Sequence, residues 1–288
     1  MDADLDLLLT TVFVTADDLL PARQNNAARS VTDAEVVTLC VAQAIMGIPS
    51  DRRFLAVAEK RLAHLFPRLP KQPGYFKRRR KLADTLEWLM GMFASESPGF
   101  YDDLLLIDST PVECARSRET VKRSQLADAA DYGYCGSHSR FFWGFRLYLL
   151  CASDGMPICF ELAPANAPER AVAAEMLERV DLDGYTVLAD KGFVGAEFEQ
   201  IMASLGARFL RPDRKDEPHR NGSLGPIRQW IESTFWTCKG QLALERHGGR
   251  TLPGVCVRIA LRLLALAAGL AHNQTIGDPG RHFAAYTH

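Results

Sequence analysis

Three acidic residues stand out by where the sequence places them. Asp108 directly follows the apolar run Leu104-Leu105-Leu106-Ile107, and Asp190 directly follows a second apolar run, Tyr185–Ala189. Each run reads as a buried strand. In open α/β sheets, chemistry gathers where the carboxyl ends of neighbouring strands meet. Should these two strands be adjacent and parallel, their carboxylates converge, and two such groups resist ionising together without a cation between them. Hard oxygen donors with few histidines or cysteines nearby favour Mg²⁺ or Mn²⁺. The third acid, Glu232, lies in an amphipathic stretch predicted as a helix over Pro226–Leu242. Arg228 stands four residues before it and Lys239 seven after, so at ~100° per residue the three side chains fall within ~40° of one another. Their face borders the apolar residues Ile227, Ile231, Phe235 and Leu242. One acid there completes a metal site, and the two bases can hold phosphates against it.

Each residue also has an ordinary reading. Asp108 before Ser-Thr-Pro resembles a turn former, Asp190 before Lys-Gly a helix cap, and Arg228 with Glu232 a surface i,i+4 pair. It is their combination, in this order and on these elements, that points to chemistry.

A second feature is charge distribution. The chain has 34 Lys and Arg against 35 Asp and Glu, yet residues 52–81 hold eleven bases and a single acid, Glu59. The block ends in Lys77-Arg78-Arg79-Arg80-Lys81. Such a patch is the electrostatic footprint of a polyphosphate partner, unless it is merely a solvated helix face.

The elements that must position these residues follow from patterning. Residues 1–96 read as a small all-helical domain. Thr32-Asp33-Ala34-Glu35 is a capping box, and Gly47 with Pro49 closes the helix it opens. Ser50 caps the next helix, and a third runs from about Tyr75 to Ala94 with Leu82, Leu86, Leu89, Met90 and Phe93 inward. Beyond Pro98 strands appear at 104–107, 141–152, 156–162, 185–189 and 207–210, with helices at 169–180, 196–205, 226–242 and 252–272. Residues 116–140 and 211–225 read as polar and irregular, and Asp154-Gly155 as a hairpin turn. Phe141, Phe142 and Trp143 are expected in the core. An antiparallel group followed by alternating units implies a mixed five-stranded sheet flanked by helices. The predicted division is 1–96, then a catalytic domain over 100–275, then a tail over 276–288.

Seven single cysteines include one CxxH, Cys135 with His138, but no ligand doublets, so a structural zinc site is not expected. The acidic start (Asp2, Asp4, Asp6) is unlike a signal peptide, and the apolar stretch Val255–Ala271 is interrupted by Arg258 and Arg262. A cytoplasmic protein without a membrane span is the expectation.

These residues resemble the insertion-sequence DDE transposases, which carry an RNase H-like catalytic domain. LLLIDSTPV is similar to the family's first-aspartate strand and LADKGF to its second-aspartate segment. IRQWIESTFWTCKG is similar to the signature of Arg, three residues, Glu, six residues, Lys, and SRFFWGFRLYLL to the strand after the first aspartate. The likeness runs from about Asp103 to His272. One position departs: a tyrosine often found three residues before the arginine is Gly225 here. The resemblance implies phosphoryl transfer on double-stranded DNA, with Asp108, Asp190 and Glu232 holding two Mg²⁺ or Mn²⁺ ions. Arg228, Lys239 and Lys191 would contact phosphates near the metals, and Lys77, Arg78, Arg79, Arg80 and Lys81 would contact element ends. A homodimer on DNA is expected, with no membrane and no small-molecule substrate. The rival readings are a metal-dependent nuclease or resolvase on the same fold, and a catalytically inactive DNA-binding repressor.

Overall fold

Caps and breakers set most of the helix boundaries. In this computed structural model, which describes residues 4–21, 30–136, 139–213, 224–278, 280 and 282–286, ten helices and six strands are found. The first stretch contains α1 (Leu5–Leu19), α2 (Asp33–Ile45), α3 (Asp51–Arg61), α4 (Gln72–Lys81) and α5 (Ala83–Ser95). There follow β1 (Leu104–Ala115), α6 (Arg118–Lys122), β2 (Asp131–Cys135), β3 (Arg140–Ala152) and β4 (Pro157–Pro164). The chain continues with α7 (Glu169–Leu177), β5 (Thr186–Leu188), α8 (Ala196–Ser204), β6 (Arg208–Leu210), α9 (Gly225–Gly240) and α10 (Leu252–Thr275). The capping box at Thr32 forms in both directions, and the Ser50 hydroxyl accepts from the Arg53 amide, as the sequence implies. The helix expected over Tyr75–Ala94 is two helices, broken at Leu82.

Two units are compact by their own contacts: residues 1–93 with 236–288, and residues 94–235. The expected catalytic segment 100–275 therefore does not coincide with one packing unit, because α10 packs on α1, α2 and α4. In the helical unit, eleven of the thirteen residues of α2 are buried. Helix α10 is long and apolar enough to cross a bilayer, with mean hydropathy 1.9 over an 18-residue window, but 89% of that window is buried in the protein. Arg258 and Arg262, which interrupt it, are buried too and hydrogen-bonded, Arg258 to the Pro49 carbonyl and Asp51, Arg262 to the carbonyls of Ala243 and Arg258.

In residues 94–235 the sheet is mixed and six-stranded, one strand more than expected. Its order is β2-β3-β1-β5-β6, with β4 paired on β3. β1, β2, β3 and β4 pair antiparallel, while β1, β5 and β6 pair parallel. The added strand is β2, inside the segment read as irregular; its exposed Tyr132 and Tyr134 give it no apolar run. The β3–β4 turn falls at Asp154-Gly155, with Gly155 at φ +86°. Leu105, Ile107, Val187 and Ala189 share one core with Val172 and Met176 of α7 and with Phe198 and Met202 of α8. Phe142 and Trp143 are buried as expected, but Phe141 is 76% exposed, its ring 5.1 Å from that of Tyr134.

Candidate active site

Strand register brings together the chain segments that lead to the two aspartates. β1 and β5 are parallel neighbours with Leu104 opposite Thr186 and Leu106 opposite Leu188. Asp108 and Asp190 each lie two residues beyond the last pair, Asp108 still on β1 and Asp190 past the end of β5. Side chains alternate along a strand. Since Leu105, Ile107, Val187 and Ala189 face one core, Leu106, Asp108 and Leu188 belong to the opposite face. The strand bearing Asp108 does not end in a turn there. It continues to Ala115 against β3, while its pairing with β5 stops at Leu106. Asp108 thus sits where β1 loses one neighbour and keeps the other. Pro111, lacking an N–H, is tolerated on the side where β1 has no partner.

Local backbone groups hold both carboxylates. The Ser109 amide donates to Asp108 at 2.7 Å, and the Lys191 amide donates to Asp190 at 2.5 Å, making Asp190 the cap of a short turn over Lys191–Phe193. Helix α9 supplies the rest. Ile231 and Phe235 bury its apolar side, and Arg228 and Glu232 lie one turn apart along it. One Arg228 nitrogen is 3.3 Å from Asp190 and 3.6 Å from Glu232, bridging the strand-end acid and the helix acid. Among the described residues, no three His, Cys, Asp or Glu side chains are gathered closely enough to hold a metal ion. Asp190 and Glu232 are linked through the Arg228 guanidinium instead.

Asp108 feels its neighbours strongly. Burial, foremost, together with the nearby Asp190 and Glu169 charges, pushes its carboxyl up to about 7, against the opposing pull of the Ser109 amide and Arg228. A carboxyl so placed ionises readily only when more positive charge arrives.

Glu169, Ser109 and Arg146 were not singled out by the sequence. The Ser109 hydroxyl donates to Glu169 at 2.6 Å, and Arg146 donates to the Ser109 oxygen at 3.3 Å. An acid at the start of a helix is so common that Glu169 gives no signal of its own. Lys191 is exposed beside Asp190, and Lys239 stands in the last turn of α9. Trp236, on the same helix, is 63% exposed. His138 lies outside the described residues, as does most of the 211–225 loop.

The basic run is not one solvated face. Lys77, Arg80 and Lys81 are exposed, but Arg78 is half-buried and bonded to Asp33 and the Val31 carbonyl. Arg79 is wholly enclosed and doubly bonded to Asp51. The structure thus corrects the expectation that all five of these cations contact DNA: Arg79 has no surface to offer a phosphate.

A known protein family shares this part of the chain. The model of the transposase DDE domain matches residues 100–268, more than half of the chain, a span containing Asp108, Asp190, Arg228, Glu232 and Lys239. No curated protein matches the sequence. Among solved structures, the chain is similar to the piggyBac transposase in a cryo-EM synaptic complex with hairpin DNA, at a TM-score of 0.45 and 8% identity, over 96% of this chain and 76% of that one. By its match over the segment that bears all three acids, this chain belongs to the transposase DDE domain family.

Proposed function

We propose that the chain is the transposase of a bacterial insertion sequence, acting in the cytoplasm to cut DNA at the element's ends and join them to a target. The observation that carries this reading is the placement of Asp108 and Asp190 two residues beyond the last paired residues of adjacent parallel strands, with Arg228 linking Asp190 to Glu232.

The donor set suits hard divalent ions. Its atoms are carboxylate oxygens, Asp108 resists ionisation without added positive charge, and Arg228 already lies between two of the acids as a cation. Asp108, Asp190 and Glu232 would hold two Mg²⁺ or Mn²⁺ ions, which when bound would activate the incoming oxygen and stabilise the departing one. The remaining work falls to the protein. The Ser109 and Lys191 amides fix the two aspartates, each through one carboxylate oxygen. Arg228, with Lys191 and Lys239, would hold backbone phosphates. In cleavage the water oxygen bonds to phosphorus as the 3′ oxygen leaves. In joining, that 3′-hydroxyl is the incoming group at a target phosphorus as the target strand's own 3′ oxygen leaves, so one site serves both steps. The helices of residues 1–96, through Lys77, Arg80 and Lys81, would grip the element's ends, and pairing two ends calls for a homodimer on DNA.

The test is a duplex carrying the element's terminal repeats, incubated with Mn²⁺. Asp108→Ala is expected to lose cleavage and joining with its circular dichroism unchanged, and full activity in that variant overturns the reading. Wild-type cleavage without joining would make the protein a nuclease of the same fold.

A further inference from the structure

We propose that Glu169 is a positioning residue of the acid centre, holding the chain segments of Asp108 and Asp190 together. The proposal rests on the reading above, that these acids are where phosphoryl transfer occurs.

Glu169 is the first residue of α7, yet its carboxylate reaches across the fold. Its Oε1 accepts the hydroxyl of Ser109, sixty residues earlier and next to Asp108. Its Oε2 lies against Gly192, two residues after Asp190, where a Cβ would stand only 2.9 Å away. One carboxylate therefore bonds the first aspartate's segment and lies beside the second's. Arg146, on β3, completes the arrangement: Nη1 donates to the Ser109 oxygen and lies 4.0 Å from Glu169, while Nη2 donates to the Tyr134 carbonyl at 2.9 Å. The group is partly withdrawn from water, with Glu169 and Arg146 side chains 32% and 19% exposed. An acid serving only the helix start would stay on its own first turn. This one instead reaches from β1 to the turn that follows β5, and those two strands pair through only three register positions, ending at Leu106 and Leu188.

Partners behind a ligand set orient it, and their loss costs about 10–100-fold in activity or metal affinity. In the full chain, Glu169→Ala should speed amide exchange in the segments 104–112 and 189–195. It should lower kcat for Mn²⁺-dependent cleavage about 10–100-fold, with KM for DNA unchanged within about twofold. Glu169→Gln, whose carbonyl still accepts the Ser109 hydroxyl, should restore most of both. Ser109→Ala should loosen the first segment and leave the second at its wild-type rate. Unchanged exchange in both segments of Glu169→Ala overturns the proposal, as does a Gln variant no better than Ala. If the wild-type chain cleaves nothing while Glu169→Ala still loosens both segments, the reading of the acid centre falls and the tether stands. If the wild type cleaves and Glu169→Ala behaves identically, only the tether falls.

Discussion

Arg79 sets its two terminal guanidinium nitrogens on the two carboxylate oxygens of Asp51, at 2.8 and 3.0 Å, inside the helical unit. Asp51 also accepts from Arg258 at 3.0 Å and Gln43 at 3.1 Å, and Gln43 in turn accepts from Tyr75 at 2.9 Å. Residues from α2, α4 and α10 thus share the carboxylate of the first residue of α3. The arrangement fixes how four helices meet.

Removing that carboxylate leaves two buried guanidinium groups without their acid. Breaking a buried pair from one side costs about 3–5 kcal/mol, so Asp51→Ala should lower stability to urea by that amount at neutral pH. Burial alone would raise the Asp51 carboxyl, but hydrogen bonding and charge from Arg79, with Arg258 and Gln43, outweigh it and hold the carboxyl below its usual value. A group depressed in the folded state contributes stability above its unfolded pKa and loses it as pH falls through the folded one. The contribution of Asp51 should therefore persist from neutral pH down to about 4 and disappear below that. Acid titrations of wild type and Asp51→Asn, followed by circular dichroism, would show the two curves converging in that lower range.

Asp108 predicts the opposite sign. Burial, then the Asp190 and Glu169 charges, raise its carboxyl to about 7 from an ordinary 3.8. Between those values the folded chain keeps a proton that the unfolded chain has lost, so stability falls as pH rises across the window. In chelator, Asp108→Asn should match wild type near pH 4 and melt at a higher temperature at pH 8. A melting series from pH 4 to 8 checks this, and a wild-type curve as flat as that of the variant would contradict it.

Much of the acid centre was legible because it rests on short-range signals. Two apolar runs each ending at an aspartate, and a helix with Arg228 and Glu232 one turn apart, are visible without coordinates. What was not legible depends on distant partners. Glu169 meets Ser109 across sixty residues, and nothing near it in the sequence announces that. The turn expected at Asp108 was misplaced because Ser-Thr-Pro looks like a turn locally, while β3 carries the strand onward. β2 was missed because its exposed tyrosines mask the alternation. The burial of Arg79 did leave a trace: five consecutive residues at ~100° each must sample every side of a helix, so one cation of the run had to face inward.

Two glycines should respond to alanine with opposite signs. Gly144 lies opposite Glu113 where the β1–β3 register shifts. A Cβ there would stand 2.2 Å from the Val112 carbonyl oxygen and 2.9 Å from the Cys114 amide nitrogen, both of them backbone. Neither atom can move without opening the sheet, so Gly144→Ala should cost at least about 2 kcal/mol. Gly91 lies inside α5 with nothing within 4 Å of the Cβ position. There, alanine gains only helix propensity, about 0.5–1 kcal/mol. Paired urea titrations of the two variants would check both directions.

The basic run offers the sharpest test of how the helical unit would meet DNA. Only Lys77, Arg80 and Lys81 are exposed, and Arg80 lies 5.7 Å over the Phe76 ring. Each phosphate that a cation neutralises adds about 0.9 to the slope of log K against log salt. Replacing these three residues singly with Gln should flatten that slope by about 0.9 for each phosphate left unneutralised, and replacing all three should flatten it by the sum. Arg79→Gln should act otherwise, unfolding the helical unit through Asp51 before DNA is added. Fluorescence anisotropy on a terminal-repeat duplex from about 50 to 300 mM salt, with a melting curve for each variant, separates the two effects. Slopes that stay at the wild-type value in the triple variant would move DNA binding away from α4.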